Sequence, residues 1–246
     1  MIRIPILRAG ILEPFPRVER ALAEPNGLLA AGGDLSTQRL LLAYRHGIFP
    51  WYSEGEPILW WSPDPRMVFD TGKVHVASRL QRWLRRCDWT IHADTAFAAV
   101  VRACAAPRRG HSGTWITRAM FDAYLRLHEL GYAHSVEACD ANGKLAGGIY
   151  GVAVGRMFFG ESMFSRATNG SKVALIGLCR VLQAWGYELL DAQVASPHLQ
   201  TMGAFEMARG RFVAHVERAC AKPGVAGSWT GAWTLGHAAQ LVDTRA

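Results

Sequence analysis

The hydrophobic pattern divides this chain into a short Gly- and Pro-rich beginning and a longer region where strand-like and helix-like segments alternate. Residues 1–62 contain one clear helical pattern, Ser36 to His46, started by the Ser36 hydroxyl and stopped by Gly47. The stretch Ile48 to Trp61 sets aromatic residues beside prolines and reads as a connection. From Arg66 the pattern predicts a strand (RMVF), a basic helix from Ser78 to Arg86 and a strand (WTIH). Helices from Asp94 to Cys104 and, capped by Thr117, to Leu130 at Gly131 come next. Ala133 to Cys139 and Lys144 to Val154 read as strands, and the Asn142-Gly143 pair between them signals a hairpin. Arg156 to Gly160 continues as a third strand. Ser171 to Trp185 is apolar on nearly every face, which predicts a buried helix. A strand from Glu188 to Val194 follows. This order predicts an α+β fold with a mixed sheet whose middle opens at the start of the buried helix.

Length and composition narrow the class. At about 150 residues per domain, 246 residues suit one full domain and a smaller unit, divided here as 1–62 and 63–246. The 50% apolar and 19% charged composition excludes a disordered chain or a coiled coil. A formal net charge of +7 favours a polyanionic partner, either nucleic acid or an anionic membrane surface. The opening MIRIPILRAGILEPFP is interrupted by Pro5, Arg8, Glu13 and Pro14, so it lacks the apolar core of a signal peptide. No apolar run approaches the ~18 residues of a membrane span. The 5 cysteines are odd in number and widely spaced, as expected of reduced thiols in a cytoplasm.

Several chemical motifs fail on spacing. His128-Glu129 and His134 straddle Gly131 and cannot form the i,i+4 pair of a zinc helix, so no metal is expected. Gly160-Glu161-Ser162-Met163-Phe164 has Phe where a nucleophile elbow needs its second Gly, which leaves Ser162 a structural or hydrogen-bonding residue. The Gly147, Gly148, Gly151, Gly155 series is not a dinucleotide fingerprint and points instead to close backbone approach. Arg79, Arg82 and Arg86 share one predicted helical face, which either tracks a phosphate backbone or is simply solvated. Asp191 and Gln193, two apart in a strand, are expected on one face, where both can meet a single substrate.

Three stretches carry a resemblance: Glu24 to Asp34 (EPNGLLAAGGD) with Gly47 to Pro65 (GIFPWYSEGEPILWWSPDP), Gly113 to Glu137 (GTWITRAMFDAYLRLHELGYAHSVE), and Gly160 to Gln193 (GESMFSRATNGSKVALIGLCRVLQAWGYELLDAQ). Together they closely resemble the leucyl/phenylalanyl-tRNA-protein transferases. The resemblance implies a small N-terminal domain and a larger acyl-CoA N-acyltransferase-like (GNAT-like) domain. It implies transfer of Leu or Phe, less readily Met, from aminoacyl-tRNA to the N-terminal amine of proteins beginning with Arg or Lys. The product is then marked for N-end rule degradation, and no metal or nucleotide cofactor is implied.

Under this resemblance Asp191, Gln193 and Glu161 are the candidate catalytic residues. Gln193 would accept a hydrogen bond from the attacking amine, Asp191 would orient it, and Glu161 would hold the acceptor's cationic side chain or the donor's ribose. Phe158, Met163, Ile149 and Leu178 would form the pocket for the donor side chain. Tyr44, Trp51, Trp115 and Tyr124 would line the groove for the terminal adenosine, and Arg79, Arg82 and Arg86 would hold the tRNA backbone. Before the buried helix, Arg166-Ala167-Thr168-Asn169-Gly170-Ser171 has Asn where a coenzyme A loop has its first Gly. That leaves the helix N-terminus to another anion, such as an RNA 3′ end. Two other readings stay open: an acyl-CoA-dependent N-acetyltransferase, and a non-catalytic RNA-binding module. The expected protein is a cytoplasmic monomer.

Overall fold

In the computed structural model, which describes residues 4–107 and 115–242, the Gly- and Pro-rich beginning builds a four-stranded sheet. Its strands are β1 (Ile6–Leu7), β2 (Leu28–Gly32), β3 (Phe49–Pro50) and β4 (Leu59–Trp61), in spatial order β1-β2-β4-β3. Strands this short show too little alternation to be read from sequence. Helix α1 (Thr37–Arg45) forms where expected, and the Ser36 hydroxyl accepts the Arg39 N–H. The small sheet has no core of its own. Leu29, Trp60 and Tyr44 share one apolar cluster with Val100, Tyr124, Tyr150 and Phe212 of the larger region.

The larger region begins with β5 (Arg66–Asp70), α2 (Ser78–Leu84), β6 (Thr90–Ala93), α3 (Phe97–Ala105) and α4 (Arg118–Glu129). It continues with β7 (Ala133–Cys139), β8 (Leu145–Val154), β9 (Met157–Ser165), α5 (Gly170–Ala184) and β10 (Leu189–Gln193), and closes with α6 (Pro197–Gln200), β11 (Phe205–Met207) and α7 (Arg209–Cys220). A seven-stranded sheet orders these β11-β5-β10-β9-β8-β7-β6. Every neighbouring pair is antiparallel except β9 and β10, which run parallel with α5 as the crossover between them. This is the expected mixed α+β arrangement. At the predicted hairpin, the Asp140 carbonyl accepts the Gly143 N–H, and Gly143 takes φ +74°.

Some boundaries differ from expectation. Helix α3 starts at Phe97 rather than Asp94, because Asp94 has φ +59° and its carboxylate accepts the N–H groups of Ser135 and Trp229. Strand β9 runs on to Ser165, past the predicted end at Gly160. Its pairing with β8 shifts so that Glu161 is the extra residue of a bulge, which breaks the alternation a sequence reading depends on. Helix α2 ends at Leu84, so Arg86 lies beyond it and the predicted three-arginine face does not exist as one helical stripe. Among the described residues no helix is long and apolar enough to cross a membrane.

Helix α5 is buried on nearly all faces because it is covered twice. The sheet contributes Ile149 and Phe158 to its inner side, and the segment after α7 adds Trp229, Ala238 and Leu241 to the same cluster. That segment also covers the edge strand β6: Ile91 donates its N–H to Gly236, and Ala238 donates to Trp89. Trp229 is fully buried and stacks on His134 with 3.8 Å between ring centroids. Gly147 of β8 permits a further close contact, since a Cβ there would run into the backbone of Gly170 where α5 begins. The first turn of α5 therefore rests on the sheet beside the point where β9 and β10 separate. Trp229→Ala should cost about 3–5 kcal/mol of stability by removing a buried indole. Denaturant unfolding checks this; a loss well under 1 kcal/mol would show that the segment lies on the core without belonging to it.

Candidate active site between the diverging strands

The parallel pairing of β9 and β10 covers only Leu190 with Phe158 and Asp191 with Phe159. Beyond that point the strands diverge around a cavity of about 780 Å³. Phe69, Ile149, Met163, Leu175 and Leu190 give it an apolar floor. Glu161, Ser162, Trp115, Arg166, Ser171, Ser196 and His198 add polar groups to its lining, and the fully buried Asp191 lies in its wall.

Glu161 is buried and engaged from behind. It accepts the Tyr44 hydroxyl at 2.8 Å, the Tyr124 hydroxyl at 2.5 Å and the Gln193 side-chain amide at 3.0 Å. The two tyrosine oxygens are also 2.9 Å apart. Two hydroxyl protons serve only two of these three oxygen contacts while Glu161 is ionised, and a proton on Glu161 completes the ring. Burial lifts the Glu161 carboxyl to about 7, while the tyrosine hydrogen bonds pull the other way and the nearby Asp191 charge adds to the rise. Burial, and then the Glu161 charge, also hold both tyrosines well above their ordinary range, so they remain neutral donors.

Asp191 sits differently from the sequence expectation. Arg66 of β5 takes both of its oxygens, Nε to Oδ1 at 2.8 Å and Nη2 to Oδ2 at 2.7 Å, with both side chains at 0% exposure. Oδ1 also accepts the backbone N–H of Gln193 at 2.9 Å. A bulge separates the two residues, and Gln193 adopts φ +64°. The simple two-residue alternation therefore fails, and Asp191 has no free carboxylate to orient a substrate. Gln193 spends its amide N–H on Glu161 and keeps its carbonyl as the acceptor it can offer.

The other candidates divide into those at the cavity and those behind it. Ile149, Met163, Ser162 and Trp115 line it. Phe158 and Leu178 lie in the core instead, and Leu175, one turn earlier in α5, takes the place expected of Leu178. Tyr44 and Tyr124 are fully buried behind Glu161, so no ring face is open to a base. Trp51 lies in the loop after β3, half-exposed, with its ring 5.6 Å from that of Trp61 and away from the cavity. At the start of α5, Gly170 donates its N–H to Ala167 and Ser171 donates to the Ser165 hydroxyl. Those two N–H groups are thus engaged within the chain, at a helix terminus expected to meet an anion. Arg79, Arg82 and Arg86 are all exposed, and none forms an ion pair among the described residues.

Arg66 escaped the sequence reading, although an arginine opening an otherwise apolar strand was a visible signal that a buried acid faces it. Leu175 was legible too, lying i+4 from Ser171 on one face of α5.

The site is thus a mixed sheet whose one parallel pair parts over a largely apolar cavity lined by the Glu161 carboxylate. Family models match residues 68–217 (leucyl/phenylalanyl-tRNA protein transferase) and residues 33–64 (its N-terminal domain). The chain belongs to the leucyl/phenylalanyl-tRNA protein transferase family. It is 56% identical over 241 residues to the leucyl/phenylalanyl-tRNA–protein transferase of Xanthomonas campestris pv. campestris strain 8004, covering 98% of this chain and 96% of that one. Its identity to the Nitrosomonas europaea protein of the same name is 55% over 216 residues, or 88% of this chain and 91% of that one. Among solved structures, a GCN5-related N-acetyltransferase from Sphaerobacter thermophilus aligns over 75% of this chain and 58% of its own, with a TM-score of 0.36 and 16% identity.

The Glu161 environment makes stability depend on pH. The folded carboxyl sits at about 7 against 4.5 for a solvated one, so the folded state holds its proton more tightly. This contribution is complete below the unfolded value and is lost as pH rises through the folded one. Glu161→Gln should therefore remove roughly 3 kcal/mol of stability change across that window. Parallel wild-type and variant unfolding curves between about pH 5 and about pH 8 would contradict it.

Proposed function

We propose that this chain transfers Leu or Phe, and less readily Met, from aminoacyl-tRNA to the N-terminal α-amine of proteins beginning with Arg or Lys. It does so as a cytoplasmic monomer without metal or nucleotide cofactor, and the product enters N-end rule degradation. The observation that carries the reading is the apolar-floored cavity lined by Glu161, whose carboxylate the Gln193 amide meets at 3.0 Å.

The reaction is aminolysis of an ester. The amine nitrogen attacks the ester carbonyl carbon, a C–N bond forms, the C–O bond to the terminal ribose breaks, and one amine proton passes to the ribose oxygen, which leaves as a hydroxyl. An α-amine with pKa about 7.7–8.0 is already partly neutral at pH 7, so no strong base is needed. The Gln193 carbonyl accepts an N–H of the attacking amine and orients its lone pair. Glu161 faces the cationic acceptor, because Asp191, the other carboxylate at the cavity, is neutralised by Arg66. Ile149, Met163, Leu175 and Leu190 receive the donor's Leu or Phe side chain. A pocket of this kind separates shapes by only about 1–3 kcal/mol per methylene, which suits a preference shared between two residues. Trp115 offers a ring to the terminal adenosine, while Arg166, with Arg79, Arg82 and Arg86 on the surface, meets phosphates. The occupied N–H groups at the start of α5 argue against an acyl-CoA donor.

The test mixes the protein with radiolabelled Leu-tRNA and a peptide beginning with Arg, beside ribonuclease-treated and acetyl-CoA samples. Label should reach the peptide only while the RNA is intact, and Gln193→Ala should slow single-turnover transfer about 10²-fold. Acetylation from acetyl-CoA without label transfer would overturn the reading, and a Gln193→Ala rate near wild type would remove that residue from the chemistry.

A further inference from the structure

We propose that Arg66 and Asp191 are positioning residues for the transfer: through Asp191, Arg66 fixes the left-handed backbone of Gln193 that carries its amide to Glu161, and neither touches substrate. The proposal rests on Gln193 meeting the amine, as argued above.

Each nitrogen of the Arg66 guanidinium has a partner. Nε and Nη2 bind Asp191, and Nη1 donates to the Gly47 carbonyl at 3.0 Å. Its two faces are covered by the rings of Phe49 and Phe212, with centroids 4.7 and 4.6 Å away. Neither Arg66 nor Asp191 has exposed surface, so a substrate amine reaches Asp191 only by breaking a bidentate pair in a dry site.

Gln193 is where this pair acts on the site. A left-handed backbone disfavours an L-residue other than Gly, Asn or Asp, and it persists only where the surroundings impose it. Here the imposed contact is the Gln193 N–H on Asp191 Oδ1, an aspartate bonding the backbone two residues on. The same oxygen is held in place by Arg66 Nε. Gln193 then places its amide 3.0 Å from Glu161. An extended residue at this position would keep to the strand's alternation and turn away. Arg66 thereby connects β3, through Phe49 and Gly47, and α7, through Phe212, to the group that receives the amine.

Two variants separate positioning from direct participation. Asp191→Asn keeps an oxygen for the Gln193 N–H and for Arg66 Nε but removes the charge. The apolar pair Arg66→Met with Asp191→Leu keeps volume, leaves no orphan charge and removes the acceptor. Single-turnover transfer is measured for both against Gln193→Ala and against the triple variant. Asp191→Asn should retain a rate within about 10-fold of wild type, with unchanged KM for Leu-tRNA and an unchanged pH profile. The apolar pair should lose about 10²-fold in rate at near-normal KM, and adding Gln193→Ala to it should cost nothing further. If the apolar pair does not fold, Arg66→Lys, whose ammonium cannot hold this fork, should lower the rate without raising KM. Asp191→Asn as slow as Gln193→Ala, or with a displaced pH profile, would show that Asp191 acts on the substrate directly. Additive losses in the triple variant would equally overturn the proposal. A wild-type rate for Gln193→Ala alone would instead remove the premise shared with the proposed function.

Discussion

The ion pair between Arg66 and Asp191 is the constraint on which the rest of this molecule turns. Two charges at zero exposure are costly to desolvate, and the pair is tolerated because each guanidinium nitrogen and each carboxylate oxygen finds a partner. The fork and the rings of Phe49 and Phe212 tie β3, β5, β10 and α7 to one point. The small N-terminal sheet is therefore bound to the large one by more than apolar contact.

Two carboxylates lie near one another at that parting and have opposite fates. Asp191 is matched by a cation and held for structural work, whereas Glu161 is met by three neutral donors and keeps its charge unneutralised. Neutral donors only partly offset desolvation, so burial lifts the Glu161 carboxyl towards neutrality. A site that handles an amine close to its own pKa gains from such a group, because its charge is available without a permanent counter-ion beside it.

Much of this arrangement could be read from the sequence, and the failures have physical causes. The hairpin at Asn142-Gly143, the capped helices at Ser36 and Thr117, and the enclosed helix from Ser171 all follow from local chemistry. The bulges at Glu161 and Gln193 do not, since each adds a residue that a period of two cannot register. That is why Asp191 and Gln193 were expected on one face. Tyr44 and Tyr124 were expected against a nucleobase. Their partner Glu161 is 117 and 37 residues away, beyond what a local pattern conveys. The segment after α7 showed no motif because its meaning lies entirely in what it covers.

That covering segment has a consequence for the order of events at the ribosome. Trp229 reaches back across 135 residues to Asp94, and the residues around Gly236 close the open side of β6. A nascent chain therefore carries a completed β6–β7–β8 meander with one unprotected edge, and an α5 with one bare apolar side, until those residues emerge from the exit tunnel. Sealing of both surfaces waits on residues that follow α7 in the chain.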